Sequence, residues 1–343
     1  QKAVGELPTR TVVVFLLVHS PHNANARLIL ALTQKDFLSR GRNCTFLLSS
    51  VAKQINLRQP QQYCQQPGQL IMAEPNIFDL IDRLSETSFM REEVGQERKR
   101  CEDAAVGAIL DHLQKNPNAA KERNDEFDYT PLHAACIRGA PLEVISAILN
   151  VWPGAAREKS EDGCTPLHDA CEYDAPLEVI SALLKAWPGA AREKNVDNYT
   201  PLHRACDSEA PLDVVSALLT AWPDAVNVED DNFDETPLQQ VCRLRAPLEI
   251  VIHLFNTWLS YKDNRTNSAI LYLQGDKSNI TRDVEILFDR LFDLCHNNTD
   301  NHSPKEIMDY FICIQLWNGT TLVLDRNPTV IKTMGLDTKV MAD

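Results

Sequence analysis

The sequence predicts an all-α fold, a solenoid of stacked helix-turn-helix units with helical caps. Three observations carry this. The segment Thr130-Pro131-Leu132-His133-Ala134-Ala135-Cys136 returns as Thr165-Pro166-Leu167-His168-Asp169-Ala170-Cys171 and as Thr200-Pro201-Leu202-His203-Arg204-Ala205-Cys206, with an altered copy at Thr236-Pro237-Leu238-Gln239-Gln240-Val241-Cys242. The threonines lie 35, 35 and 36 residues apart, a near-fixed period of the kind that marks stacked repeats. Ten residues after each proline comes another, at Pro141, Pro176, Pro211 and Pro247.

Each part of the unit has a local cause. Threonine before proline starts a helix: the threonine oxygen accepts from the free N–H groups of the first turn, and proline lacks an N–H that would go unused there. Two residues after the second proline stands a carboxylate, Glu143, Glu178, Asp213 or Glu249, where the helix dipole favours negative charge. Apolar residues follow at helical spacing, as in Ile145, Ile148 and Leu149. Trp152-Pro153, Trp187-Pro188 and Trp222-Pro223 stop the second helix, since proline cannot continue one.

The pattern resembles the ankyrin repeat, in its TPLHxA first helix, its helix-loop-helix plan and a period near the usual value of about 33. The resemblance covers Ala105 to Trp258. The unit here is two or three residues longer than usual, proline opens the second helix, and the fourth unit has lost its histidine. The resemblance implies structural roles for Thr130, His133, Thr165, His168, Thr200 and His203, each histidine bonding the backbone of a neighbouring loop. It implies a concave binding face made of loop tips and the exposed side of the first helices. It also implies a non-catalytic protein-interaction scaffold; the alternative is a regulatory ankyrin segment of a larger enzyme or channel.

Residues 1–71 read differently from the rest. They hold eight Lys/Arg and two Asp/Glu, a net of +6, whereas the whole chain of 343 residues carries −14, leaving −20 for the remainder. The first methionine is Met72, and Met72-Ala73-Glu74 reads as a natural start. Three readings stand for 1–71: upstream sequence with no fold, which composition favours; an acid-poor targeting segment; or a small domain with strands near Thr11–Val18 and Cys44–Leu48. Residues 72–104 read as N-terminal helices and a charged linker. Residues 105–260 read as a capping unit plus four repeats starting near 128, 163, 198 and 234. Residues 261–343 read as a degenerate helical extension, with helices over Val284–Cys295 and Ile307–Trp317. A new apolar stripe at Leu336, Val340 and Met341 reads as the mark of a truncated chain.

The acidic body repels phosphate backbones, so no nucleic-acid partner is expected. No apolar run approaches the ~18 residues of a membrane span, and no membrane partner is expected. Cys136, Cys171, Cys206 and Cys242 recur at the repeat period. Stacked helices lie about 8–10 Å apart, beyond the roughly 7 Å reach of a disulfide. Reduced thiols and a cytoplasmic location are therefore expected.

Each histidine has a cysteine three residues on, which invites a metal reading. Two ligands per repeat, with repeats about 10 Å apart, cannot close a tetrahedral site, so no metal or other cofactor is expected. The run from Asp230 resembles the start of a calcium loop but has Glu235 where glycine belongs and Val241 where glutamate belongs;. The tryptophans, Trp258 included, read as packing between repeats. The loop tips Asp125–Tyr129, Ser160–Cys164, Asn195–Tyr199 and Asp230–Glu235 hold ten carboxylates and no Lys or Arg. Tyr129, Tyr199 and Phe233 in the tips and Tyr173 on a first helix are candidate partner-binding aromatics. Asp162, Asp197, Asp230, Asp231 and Asp234 are the candidate acids. The expected partner is another protein with a Lys/Arg-rich segment.

The change of composition at Met72 predicts that residues 1–71 are dispensable for the stability of the rest. Thermal unfolding of 72–343 beside the full chain checks this. A drop of more than about 5 °C, exceeding 1 kcal/mol for a chain of this size, would show that the leading segment contributes.

Overall fold

The structure, a computed structural model, describes residues 12–17, 27–32, 75–88, 95–273, 280–296 and 301–333. The chain divides into two units, Gln1–Met72 and Ala73–Asp343. In the first, strands β1 (Val12–Leu17) and β2 (Arg27–Leu32) pair antiparallel, Val12 opposite Leu32 and Leu17 opposite Arg27. This hairpin is the one departure from an all-α fold among the described residues. The expected strand at 44–48, the Met72 start and the apolar stripe at 336–341 lie outside the described residues.

The described part of the second unit is helical. Helices α1 (Ile77–Ser88) and α2 (Gly95–Lys115) precede four pairs. These are α3 (Pro131–Ile137) with α4 (Leu142–Val151), α5 (Pro166–Glu172) with α6 (Leu177–Ala186), α7 (Pro201–Asp207) with α8 (Leu212–Ala221), and α9 (Pro237–Arg243) with α10 (Leu248–Ser260). Then come α11 (Asn267–Leu273), α12 (Arg282–His296), α13 (Pro304–Cys313), α14 (Trp317–Arg326) and α15 (Val330–Thr333). The helix expected from Ala105 begins at Gly95, so part of the charged stretch belongs to it. The helix expected over Ile307–Trp317 breaks after Cys313.

The prolines before α4, α6 and α8 are caps rather than helical residues; Pro141 is extended, with φ −65° and ψ 160°. Trp152, Trp187 and Trp222 end their helices, and each following proline opens a 3-10 turn. No proline follows Trp258, so α10 runs on to Ser260 and buries that indole against Phe255, ring centroids 5.6 Å apart. The core between units is one aliphatic stripe per second helix, such as Val144, Ile145 and Ile148, all fully buried. Each contributes about 1.5–3 kcal/mol gross. Ala135, Ala170 and Ala205 are fully buried as well, and their small side chains let the first helices approach closely.

A single network joins the units. The backbone N–H of Thr165 donates to His168 Nδ1 at 3.1 Å, and the Thr165 hydroxyl lies 2.9 Å from the same nitrogen. With Nδ1 accepting, Nε2 carries the proton and donates to the Tyr199 carbonyl of the next tip at 3.1 Å. His133 repeats this with Thr130 and the Cys164 carbonyl. His203 makes the same cap with Thr200, but its Nε2 has no hydrogen-bond partner. In the fourth unit Gln239 Oε1 takes over the cap, accepting from Thr236 N–H at 3.0 Å. In His133 and His168 both imidazole nitrogens are thus used by threonine and backbone.

The turn inside each pair places one residue in the left-handed region: Gly139, Asp174, Glu209 and Arg245. The tight link recurs in the last pair. Ser303 and Glu306 form a capping box, Pro304 opens α13, and Gln315 has φ 62° before α14 begins. This pair docks on α10, where Asn318 donates to Asn256 Oδ1 at 3.1 Å and to its carbonyl at 2.7 Å.

Two outcomes follow from this architecture. Burial lowers the three imidazoles from 6.5, His133 and His203 to about 4 and His168 to about 3. The unfolded chain then binds protons that the folded chain refuses. Their contribution is complete above pH 6.5 and is lost as pH falls toward 4, by about 1.4 kcal/mol per pH unit per histidine. His168→Gln, which keeps the cap, should cost about 1 kcal/mol at pH 7 and make the loss on acidification shallower in urea unfolding from pH 7 to 4.5. An unchanged slope would mean that His168 titrates normally in the fold. Separately, exposed Glu209 at φ 59° strains its backbone, so Glu209→Gly should stabilise by up to about 1 kcal/mol; a lower melting temperature would contradict this.

Candidate interaction surface

The loop tips are short turns closed on themselves. Asn195 N–H donates to the Tyr199 carbonyl at 3.0 Å, and Ser160 to Cys164 at 2.9 Å. The first and fourth tips are one residue longer, closing from Asn124 to Tyr129 and from Asp230 to Glu235. Each needs one left-handed residue before its end: Asp128, Gly163, Asn198 and Asp234. Small polar side chains suit that conformation because they bond locally. The opening side chain holds the turn from inside. Asn195 Oδ1 accepts from Asp197 and Tyr199 N–H, and Asp230 Oδ1 accepts from Asn232 and Phe233 N–H.

Successive tips are tied by backbone bonds: Glu161 N–H to the Phe127 carbonyl at 3.1 Å, Val196 to Asp162 at 3.0 Å, and Asp231 to Asp197 at 3.1 Å. The four tips therefore make one continuous ladder. This register puts Phe127 and Phe233 at equivalent places in the two longer tips. Phe127 is 43% exposed, Val196 65% and Phe233 46%.

The candidate residues separate into two groups. Asp162, Asp231 and Asp234 are exposed and Asp197 half-buried. Asp230 is 2% exposed, a turn-holding residue rather than a surface acid. Tyr199 is buried at 6%, its ring 5.4 Å from His203 with the Arg204 guanidinium 5.1 Å over it, so it is a packing residue rather than an open anchor. Tyr129 and Tyr173 are half-buried. Phe233 is open on one side, with the Arg243 guanidinium 5.0 Å from its ring centroid. The sequence alone does not mark Phe127 and Val196 as exposed, although Phe127 and Phe233 each stand three residues before a Thr-Pro helix start. The tips also have basic neighbours just outside them: Arg123 pairs with Asp128 and Glu158, and Arg243 with Glu235.

Beside the tips, the residue after each histidine, or after Gln239, forms a row along the first helices: Ala134, Asp169, Arg204 and Gln240. Asp169 is 3% exposed and its Oδ2 has no hydrogen-bond partner. Burial pushes its carboxyl well above the usual range, Glu172 adds to this and Arg204 opposes it. Arg204 Nη1 lies 3.3 Å from Glu172 Oε2. Gln240 Nε2 donates to Asp207 Oδ1 at 3.2 Å, while Gln240 Oε1 is unpartnered. Burial raises Asp207 as well. The thiols of Cys136, Cys171, Cys206 and Cys242 are free and buried, and burial raises all four. Such thiols are packing groups rather than nucleophiles.

A family model described as ankyrin repeats, in three copies, matches residues 102–191, and a second, described as the ankyrin repeat, matches residues 197–231. A search of curated proteins finds none that matches the chain. The threonine caps, the histidine bonds to the next tip and the laddered turns fall within or beside those spans. Residues 102–231 thus hold ankyrin repeats.

Proposed function

We propose that the chain is a non-catalytic, cytoplasmic protein-interaction scaffold that grips a partner protein with its ladder of tips and the adjoining face of the first helices. Ankyrin repeats are in general protein-interaction modules, which supports the class of function. The observation that carries the reading is the surface of the ladder. Exposed Phe127, Val196 and Phe233 alternate along it with exposed Asp125, Glu126, Glu161, Asp162, Asp231 and Asp234. Apolar side chains held by a rigid ladder lose little entropy when covered, which makes them anchors. The acids speed encounter with a basic surface and reject an acidic one, while each exposed charge pair adds under about 1 kcal/mol. The partner segment is therefore Lys/Arg-rich, held chiefly by apolar contact. No helix among the described residues is long and apolar enough to cross a membrane.

The test is capture of partners from native lysate by the full chain and by two variants. Phe127→Ala with Phe233→Ala should remove most affinity for the captured protein while circular dichroism stays unchanged, since both rings lie outside the core. Asp231→Asn with Asp234→Asn should slow association and flatten its salt dependence. A native partner whose affinity ignores both sets would place binding elsewhere on the array.

A further inference from the structure

A second set of charges repeats with the units. Segments 117–123, 153–159 and 188–194 read PNAAKER, PGAAREK and PGAAREK. Each opens a 3-10 turn, and the two alanines of every turn are buried. The next side chain, Lys121, Arg157 or Arg192, is exposed. Bonds between units hold the three turns in register. Arg123 pairs with Glu158, and its Nη1 donates to the Lys159 carbonyl at 3.1 Å. Lys159 Nζ lies 2.7 Å from Glu193 Oε2. Glu158 and Glu193 are thus each taken by a basic residue of the segment before. Lys194 has no such acid ahead of it, because Val228 stands where Glu158 and Glu193 stand earlier. Among the described residues, Lys121, Arg192 and Lys194 form no ion pair, and Arg157 lies 5.9 Å from the centroid of the Trp187 ring. The three segments hold six basic residues and three glutamates, a net of +3 on a chain that carries −14. Segment 223–229, PDAVNVE, has no basic residue and bounds the strip.

We propose that Lys121, Arg157, Arg192 and Lys194 form a docking strip for an acidic segment of a protein other than the one held by the tips. The segment it fits is an extended one with a carboxylate at every third residue. Lys121, Arg157 and Arg192 recur once per unit, about 10 Å apart, as stacked helices do. A chain in the polyproline II conformation has three residues per turn and rises about 3.1 Å per residue, so every third side chain returns to one face about 9 Å further on. Successive carboxylates of such a segment meet successive basic residues. The pairs that join the turns are in place before binding, which spares the cost of ordering them. The strip and the acidic tips are opposite in sign, so they select different partners. A scaffold brings proteins together by holding two of them, and this strip supplies a second site.

The test measures labelled synthetic peptides on the full chain by fluorescence anisotropy, at about 0.15 M salt, where charges beyond about 8 Å are screened. One peptide has glutamate at every third position in a proline-rich background. A second has the same composition with its glutamates adjacent, and a third has serine for every glutamate. Three chains are compared with the parent: Lys121→Ser with Arg157→Ser and Arg192→Ser; Val228→Glu; and Phe127→Ala with Phe233→Ala. Val228→Glu extends the series of glutamates and gives Lys194 a partner, so it removes a free charge while every basic residue stays. The spaced peptide should bind at least about threefold tighter than the adjacent one, and the serine peptide should not bind. The triple variant should lose about tenfold or more and Val228→Glu about threefold, since an exposed charge pair is worth up to about fivefold. Phe127→Ala with Phe233→Ala should change nothing, because those rings belong to the tips. Equal binding of the spaced and adjacent peptides would mean diffuse attraction and overturns the strip. So does a spaced peptide that binds no better than the serine one, or one whose affinity ignores both the triple variant and Val228→Glu. Each of these results leaves the tip face standing, whose own test uses Phe127 and Phe233.

Discussion

Two of the three buried imidazoles of this array, His133 and His168, do two things at once, and much of the geometry follows. Nδ1 accepts from the threonine that starts its own helix, while Nε2 donates to the last carbonyl of the next tip, as His168 does to Tyr199. The first bond sets where a helix begins. The second sets how far away the neighbouring unit lies and fixes its tip. Both depend on a neutral ring in one tautomer, which burial enforces by disfavouring the charged form;. A repeat protein has few long-range contacts to hold its register, so a bond that spans adjacent units at two successive junctions carries unusual weight.

Departures from the pattern make physical sense in this light. Gln239 replaces histidine in the fourth unit and still caps Thr236. What glutamine gives up is the reach to a following tip, and α10 leads instead into α11 and α12. Helices α13 and α14 reuse the proline start, the capping box and the left-handed link without the TPLH segment. The devices that close a helix pair are thus separable from the device that joins one tip to the next.

Much of this was legible in the sequence. Helix starts and stops came from Thr-Pro and Trp-Pro, because capping and the missing proline N–H act within a few residues. The period gave the stacking. The break after Cys313 was not legible, since an apolar stripe runs through Ile307, Phe311 and Leu316 and gives no sign that Gln315 takes a left-handed conformation. The binding face was only half legible. That the tips are acidic follows from composition. That Asp230 is turned inward to hold its turn, as Ser160 and Asn195 are in the shorter tips, while Asp231 and Asp234 face solvent, is revealed only by the backbone path. The same holds for Tyr199, whose burial depends on Arg204 folding over it.

The longer fourth tip closes from Asp230 to Glu235, and across this junction His203 Nε2 makes no direct hydrogen bond, although the Glu235 backbone still acts on the ring. The junction is carried instead by the tips, through Asp231 N–H to the Asp197 carbonyl at 3.1 Å and the Asn198 side-chain amide to the Glu229 carbonyl at 2.7 Å, and by Gln240 donating to Asp207 at 3.2 Å. In a linear stack, where units touch only their neighbours, the coupling of one unit to the next can thus pass from imidazole to loop backbone without a break in the array.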